Sequence, residues 1–147
     1  VRTLSKFYGL PGLRLGFAFM GTALSRFLNY STKYLGYNRL SEELGIAVLK
    51  ATDYYQNVAD QMAQDREMYI RELRPLAGFK VYDSNANFML VKYPIEWKEK
   101  LQTALKAKGY LIKFMNEPDL NTHMRITLGT HAQNCMVIET IKEVVGA

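Results

Sequence analysis

The chain is 147 residues long, 48% hydrophobic and 22% charged, with a formal net charge of +5. That composition can bury a core and lacks the proline and charge excess of a disordered segment. It contains no apolar run near the roughly 20 residues of a membrane span and no signal-peptide pattern, its single cysteine cannot close an internal disulfide, and its basic residues are interspersed with acids rather than gathered into a nucleic-acid face. The expectation is a cytoplasmic globular protein with neither a membrane nor a nucleic acid as partner.

Residues 1–12, VRTLSKFYGLPG, read as a loop with Gly9, Pro11 and Gly12 as its turn residues. Leu13 to Met20 predicts a short buried strand, and Thr22 to Tyr34 a helix with Leu24, Phe27 and Leu28 on one face. After a break at 36–39, Ser41 is the expected cap of a helix carrying Leu44, Val48 and Leu49. Asp53 is the expected cap of a longer one, with Val58, Met62, Tyr69 and Leu73 at helical spacing and Pro75 and Gly78 ending it. The pattern then changes. Two short strands, 79–82 and 87–92, flank an SNAN turn where Asn87 is the expected capping residue. Ile95 to Lys108 predicts a helix ended by Gly109, Tyr110 to Met115 a strand, NEPDLN a loop, and His123 to Leu128 an alternating strand. Thr130 and Gln133 form a capping box before a last helix with Val137, Ile141 and Val144 inward and Cys135 packed on its inner side. The order ββαββα predicts a compact α+β unit, a sheet with helices on one face.

Chemistry concentrates at the start of the chain. Thr3, Ser5 and Lys6 are followed by Arg14 and by glycines at 9, 12 and 16. Lysine attacks a carbonyl only as the free amine, and nearby cations with partial desolvation favour that form. Hydroxyls and a guanidinium fork suit phosphate oxygens, and glycines let backbone approach a ligand. Taken alone, such a run reads more readily as an ordinary surface loop than as a site. The two histidines, His123 and His131, have no cysteine or carboxylate spacing of a metal site. No metal is expected.

The segment RTLSKFYGLPGLRLGF closely resembles the cofactor-lysine segment of fold-type I pyridoxal-phosphate aminotransferases, most of all the histidinol-phosphate aminotransferase group, where a TxSKxxGLxGLRxG pattern is usual. SNANFMLVKY and MRITLGTHAQN are similar to two later blocks of that group, in the same order. The resemblance implies pyridoxal 5'-phosphate as cofactor, Lys6 as the lysine that carries it and moves the proton, and Thr3, Ser5 and Arg14 as holders of its phosphate. Arg125 would pair with the substrate α-carboxylate, although a lone strand arginine also fits a solvent-exposed face. Lys113, in YLIKF, stands where histidinol-phosphate enzymes usually carry an arginine that helps bind the substrate phosphate. Lysine keeps the charge and loses the fork, so other amino acids, or an O-phospho amino acid for decarboxylation, stay open as substrates. Phe7 replaces a residue that is commonly small.

The resemblance also implies an α/β fold class: residues 1–52 as the tail of a large cofactor-binding α/β domain, and residues 53–147 as the small C-terminal α+β domain. The partners would be an amino acid and a 2-oxo acid such as 2-oxoglutarate, with a homodimer in the full-length parent. The motif lies in the first residues, where chains fray, so the chain is expected to be part of a longer protein. Residues 1–52 hold no aspartate for the cofactor's ring nitrogen, so the chain alone is expected to bind the cofactor poorly and not to transaminate. A non-catalytic amino-acid sensor behind a DNA-binding segment, and a plain structural module, are the alternatives from other classes.

Overall fold

The computed structural model describes residues 1–25 and 38–147. They divide into two compact units, Val1–Asn57 and Val58–Ala147. The resemblance implies a boundary between 52 and 53, at the start of the long helix; the division by contacts falls inside that helix.

In the first unit, β1 (Arg2–Thr3) pairs antiparallel with β2 (Gly16–Phe17), Arg2 opposite Phe17 and Thr3 opposite Gly16. A Cβ on Gly16 would lie 2.9 Å from the Arg2 carbonyl oxygen, so this close pairing needs glycine. Between the strands runs a loop anchored by Leu4, which is buried. The Leu4 N–H donates to the Leu15 carbonyl, and the Leu10 N–H to the Leu4 carbonyl. A 3-10 turn, Pro11–Leu13, ends the loop. Among the described residues, α1 (Thr22–Ser25) and α2 (Arg39–Lys50) follow. Gly45 of α2 is buried, with Leu15 and Leu4 side chains against it.

Two expectations change here. The buried strand over 13–20 shrinks to two residues, and Phe19 is 88% exposed. A fully buried strand needs neighbours on both edges and both faces, and its one described partner strand, β1, is two residues long. The cap of α2 is Asn38, whose Oδ1 accepts from the Leu40 and Ser41 N–H groups, and Ser41 lies inside the helix. Leu44 and Leu49 of this helix are exposed. Of the helix expected over 22–34, Phe27, Leu28 and the rest of 26–37 lie outside the described residues.

Helix α3 (Thr52–Leu73) starts one residue before the expected cap, so Asp53 sits in its first turn. There a carboxylate favours the helix dipole. In the second unit its apolar stripe, Met68, Tyr69 and Leu73, packs against a four-stranded antiparallel sheet of order β3-β4-β6-β5. The strands are β3 (Lys80–Val81), β4 (Phe88–Lys92), β5 (Lys113–Phe114) and β6 (His123–Thr127). Met89 faces Ile126 and Val91 faces Met124 across β4 and β6, and all four are fully buried. They share one sheet face with Val81 and Phe114, covered by Leu101 and Leu105 of α4 (Lys98–Ala107) and Val137, Ile138 and Ile141 of α5 (His131–Val145). The predicted sheet with helices on one face is what forms.

Local devices hold these elements in place. The capping box forms, Thr130 accepting from the Gln133 N–H while the Gln133 side chain returns to the Thr130 N–H. Gly109 takes a positive φ of 84° after α4, as expected of a helix stop. Ile95–Trp97 is a 3-10 turn rather than the first turn of α4. The SNAN turn is closed by Ser84, not Asn87: its hydroxyl donates to the Phe88 carbonyl and accepts from the Ala86 N–H. The strand expected over 110–115 contracts to Lys113–Phe114, with Leu111 86% exposed. No described helix is long and apolar enough to cross a membrane.

Gly78 provides a direct check on this packing. Its φ is +76°, and an added Cβ would sit 2.6 Å from Cγ of Pro94, a rigid ring. Gly78→Ala combines left-handed strain with overpacking, so a loss of about 2–4 kcal/mol in urea unfolding is expected. An unchanged midpoint would show that this corner relaxes freely.

Candidate active site

The first unit holds four of the predicted site residues on one loop. Lys6 is exposed, and its carbonyl accepts from the Gly9 N–H, where a φ of +69° turns the chain back. Following Lys6 in the chain, Phe7 and Tyr8 join Tyr54 and Tyr55 in an aromatic cluster, mostly edge-to-face with Phe7 and Tyr55 tilted, and the Tyr55 hydroxyl donates to the Tyr8 carbonyl. The Phe7 position that departs from the resembled pattern is thus filled by ring packing, with centroids 5.2 Å from Tyr8 and 5.6 Å from Tyr55.

Thr3 acts first on the loop itself. Its hydroxyl accepts from the Ser5 N–H at 3.1 Å and donates to the Leu15 carbonyl at 3.4 Å. A hydroxyl has one proton to give, so an anion would compete with Leu15 for it. Arg14 follows the 3-10 turn in the left-handed conformation, φ 54° and ψ 38°, and is the one described non-glycine residue with a positive φ. Such a conformation costs about 1–2 kcal/mol in an ordinary residue, and strained positions cluster at ligand clamps. One guanidinium nitrogen donates to the Pro11 carbonyl at 3.3 Å; the rest of the fork is available. Among the described residues no carboxylate forms an ion pair with Lys6 or Arg14. An amine, a guanidinium and two hydroxyls without an acid make a donor set suited to a phosphate dianion.

The second unit brings the other two predicted residues together. Arg125 on β6 is directly opposite Lys113 on β5, on the sheet face away from the core. The Arg125 guanidinium carbon lies 5.5 Å from the centroid of the Phe88 ring, within range of a cation–π contact. Like charges directly opposite repel, and Glu117 partly offsets this, with Oε1 3.9 Å from the Lys113 Nζ. The Glu117 carboxyl is held below its usual range, first by backbone N–H donors at Glu117 and Asn116 and then by the charges of Lys113 and Arg125. Its Oε2 accepts from the Asn116 N–H at 3.0 Å. Phe88 and Glu117 were not singled out from the sequence. The Lys113-to-Glu117 spacing of four was the available signal, and Phe88 begins the alternating set that shares a face with Leu90 opposite Arg125.

His123 is buried on this outer face and satisfied as a structural residue, its ring nitrogens 3.2 Å from the Tyr82 hydroxyl and 3.4 Å from the Thr122 hydroxyl. Among the described residues no three His, Cys, Asp or Glu side chains are placed to hold a metal.

The family model for aminotransferase class I and II matches residues 1–141. The chain belongs to the class I and II aminotransferases. The histidinol-phosphate aminotransferase of Microcystis aeruginosa is 33% identical over 145 residues, covering 99% of this aminotransferase chain and 41% of that protein. Two solved structures share its fold. The histidinol-phosphate aminotransferase of Clostridium acetobutylicum superposes with a TM-score of 0.81 at 23% identity, covering 99% of this chain and 45% of that one. The Sinorhizobium meliloti enzyme, in complex with pyridoxal-5'-phosphate, gives 0.78 at 24% identity, over 99% and 40%. The fold is therefore that of the matching part of fold-type I pyridoxal-phosphate transferases, and the aminotransferase chain spans about two fifths of the length of the curated relatives it matches.

Proposed function

We propose that this chain is part of a pyridoxal-phosphate-dependent aminotransferase that moves an amino group between an amino acid, with histidinol phosphate the first candidate, and a 2-oxo acid such as 2-oxoglutarate. The observation that carries this reading is the acid-free loop of Lys6, Ser5, Thr3 and strained Arg14, whose donor set suits the cofactor phosphate. Membership of the aminotransferase family and identity of about a third to histidinol-phosphate aminotransferases support it. When bound, pyridoxal phosphate supplies an electron sink for charge developing at the substrate Cα. Lys6 is the residue that carries the cofactor and moves the proton at Cα. Ser5 and Arg14 hold the phosphate, and Thr3 shapes the loop while offering its hydroxyl to the same anion. Arg125 takes the substrate α-carboxylate, held over Phe88, and Lys113 adds a second positive charge on that face. In this reading 1–52 is the tail of the large domain and 53–147 the small domain.

Lys113 favours a second reading. A lysine in place of a guanidinium fork binds phosphate as a point charge, which also suits decarboxylation of an O-phospho amino acid. The deciding experiment uses the full-length protein loaded with pyridoxal phosphate. Borohydride reduction and peptide mapping should find the cofactor on Lys6. Histidinol phosphate, aromatic amino acids and O-phosphothreonine are then compared as donors, with 2-oxoglutarate consumption and carbon dioxide release read separately. A label absent from Lys6 removes the proposal; carbon dioxide release without amino transfer selects the decarboxylase.

Arg125→Gln tests the carboxylate contact. Losing a charge-assisted pair of hydrogen bonds of about 3 kcal/mol raises KM for the amino donor about 10²-fold while kcat changes less. An unchanged KM would free Arg125 from this role. A cytoplasmic homodimer is the expected full-length form. Nine of the twelve exposed large hydrophobics among the described residues lie in the first unit, Phe19 and Leu40 prominent among them, and such surface needs cover. Light scattering at micromolar concentration tests that state.

A further inference from the structure

The second unit holds a constellation of reactive groups that the proposed amino transfer does not use. Helix α5 opens with His131, and Cys135 follows at i+4 on the same face. The imidazole is bracketed, with Nδ1 2.6 Å from Oδ1 of Asp65 and Nε2 3.6 Å from Sγ of Cys135. Asp65, on α3, is 1% exposed. Its Oδ1 also accepts from the Gln61 amide at 3.2 Å, and its Oδ2 accepts from the Asn134 amide at 2.8 Å. Asn134 is itself fixed, exchanging hydrogen bonds with the Gly129 backbone and accepting from the Tyr69 hydroxyl. Burial first, then the Asp65 charge, hold the Tyr69 hydroxyl far above the usual phenol range, so it remains a donor.

As a carboxylate Asp65 only accepts, so Nδ1 of His131 donates to it. A neutral ring in that tautomer presents Nε2 as a bare acceptor, and the group it faces is the Cys135 thiol. Asp65 and Cys135 approach opposite nitrogens of one ring, so the three cannot converge on a metal ion. A nucleophile, a base within reach and a buried group orienting the base is the arrangement that activates a thiol. Cys135 is half-buried and borders a cavity of about 370 Å³, lined also by Met68, Glu72, Ile138 and Lys142.

We propose that Cys135 is a nucleophilic thiol that exchanges with small disulfides, with His131 accepting its proton and Asp65 positioning the imidazole. In the exchange, Nε2 takes the Sγ proton and Sγ attacks one sulfur of the disulfide. The new Sγ–S bond forms as the S–S bond breaks, and the departing thiolate recovers the proton from His131. The disulfide is the oxidant, and Cys135 ends as a mixed disulfide. The chain has one cysteine, so no second thiol of this chain reverses the step. The site stands independently of the role given to Lys6.

Hydroxyethyl disulfide is a suitable probe because it is uncharged. The groups around the thiol (Asp65, Tyr69 and Glu72 from α3; His131, Glu139, Lys142 and Glu143 from α5) then do not bias its approach. In the full-length protein, mass spectrometry of the Cys135 peptide follows adduct formation in the native state and in urea. A free thiol at neutral pH is only a few per cent thiolate, so native Cys135 should react at least about 10-fold faster than the unfolded chain at pH 7. His131→Gln replaces a side chain that is 58% exposed, and its amide can still donate to Asp65; an unchanged urea midpoint checks that the fold is kept. The substitution should bring the native rate down to the unfolded one, both measured at the same pH. A native rate no faster than the unfolded one, or a variant as fast as the native protein, overturns the proposal.

Discussion

Lys6→Ala in the full-length protein abolishes amino transfer, with turnover lower by about 10³-fold or more while the cofactor phosphate still binds. A positioned acid–base group contributes roughly 10²–10⁴-fold, and a covalent tether adds to that. Structure gives the reason for separating chemistry from binding. The Lys6 backbone is pinned by the Gly9 N–H and by buried Leu4 beside it, so removal of the side chain leaves the loop standing. Ser5 and Arg14 do not depend on the amine, since Arg14 is held by the Pro11 carbonyl. Lys6→Arg is the matching control. It keeps the positive charge near the phosphate but offers no free amine at neutral pH, so it should be as inactive as the alanine variant. Arg14→Gln should instead weaken cofactor binding and be rescued by excess cofactor. Single-turnover measurement with a preformed donor complex reads the chemical step. Lys6→Ala turning over within about 10-fold of the native rate would remove lysine from the proton transfer.

How much of this could be read from the sequence depends on how local each feature is. The capping box at Thr130 and Gln133 and the stop at Gly109 were legible because each is decided within four residues. The stripe of α5, Val137, Ile141 and Val144, was legible because an amphipathic helix repeats itself. The Leu13–Met20 stretch failed for the opposite reason: an apolar run announces burial, but burial needs partners that periodicity cannot supply. Ser41 and Asn38 are both good caps, and residue type alone does not choose between them; the Asn38 side chain is the one that accepts from the Leu40 and Ser41 N–H groups. The loop residues Lys6 and Arg14 stood out by spacing and by resemblance, yet the left-handed backbone of Arg14 leaves no trace in its residue type. The pairing of Lys113 with Arg125 is a matter of strand register, and register across β5 and β6 cannot be counted along the chain. Asp65 did leave a signal. It lies three residues after Met62 and four before Tyr69, on the inward stripe of α3, where a carboxylate must find partners. Those partners, His131 and Asn134, are more than 60 residues away.

Ile126→Ala in the 147-residue chain should cost about 3–4 kcal/mol and lower the urea midpoint with little change in slope, as expected for a large-to-small change in a filled core. Ile126 is fully buried, faces Met89 across β4, and belongs to the cluster that includes Leu101 and Val137 from both covering helices. The cavity therefore opens between the sheet and both helices, and collapse on one side widens it on the other. Thr127 is the control. It lies on the outward face, opposite Phe88, and is exposed, so Thr127→Ala should cost well under 1 kcal/mol. Trp97, the single tryptophan, packs against the same core and reports the transition by fluorescence. The comparison bears on function because Arg125 is the residue between Met124 and Ile126. Its guanidinium faces away from the core, yet its backbone is fixed only as well as the two buried neighbours hold β6 against β4. If, in the full-length protein, Ile126→Ala loses stability but retains the donor affinity that Arg125→Gln loses, the arginine is held by strand pairing alone. If both variants lose affinity alike, the buried face is what positions the charge.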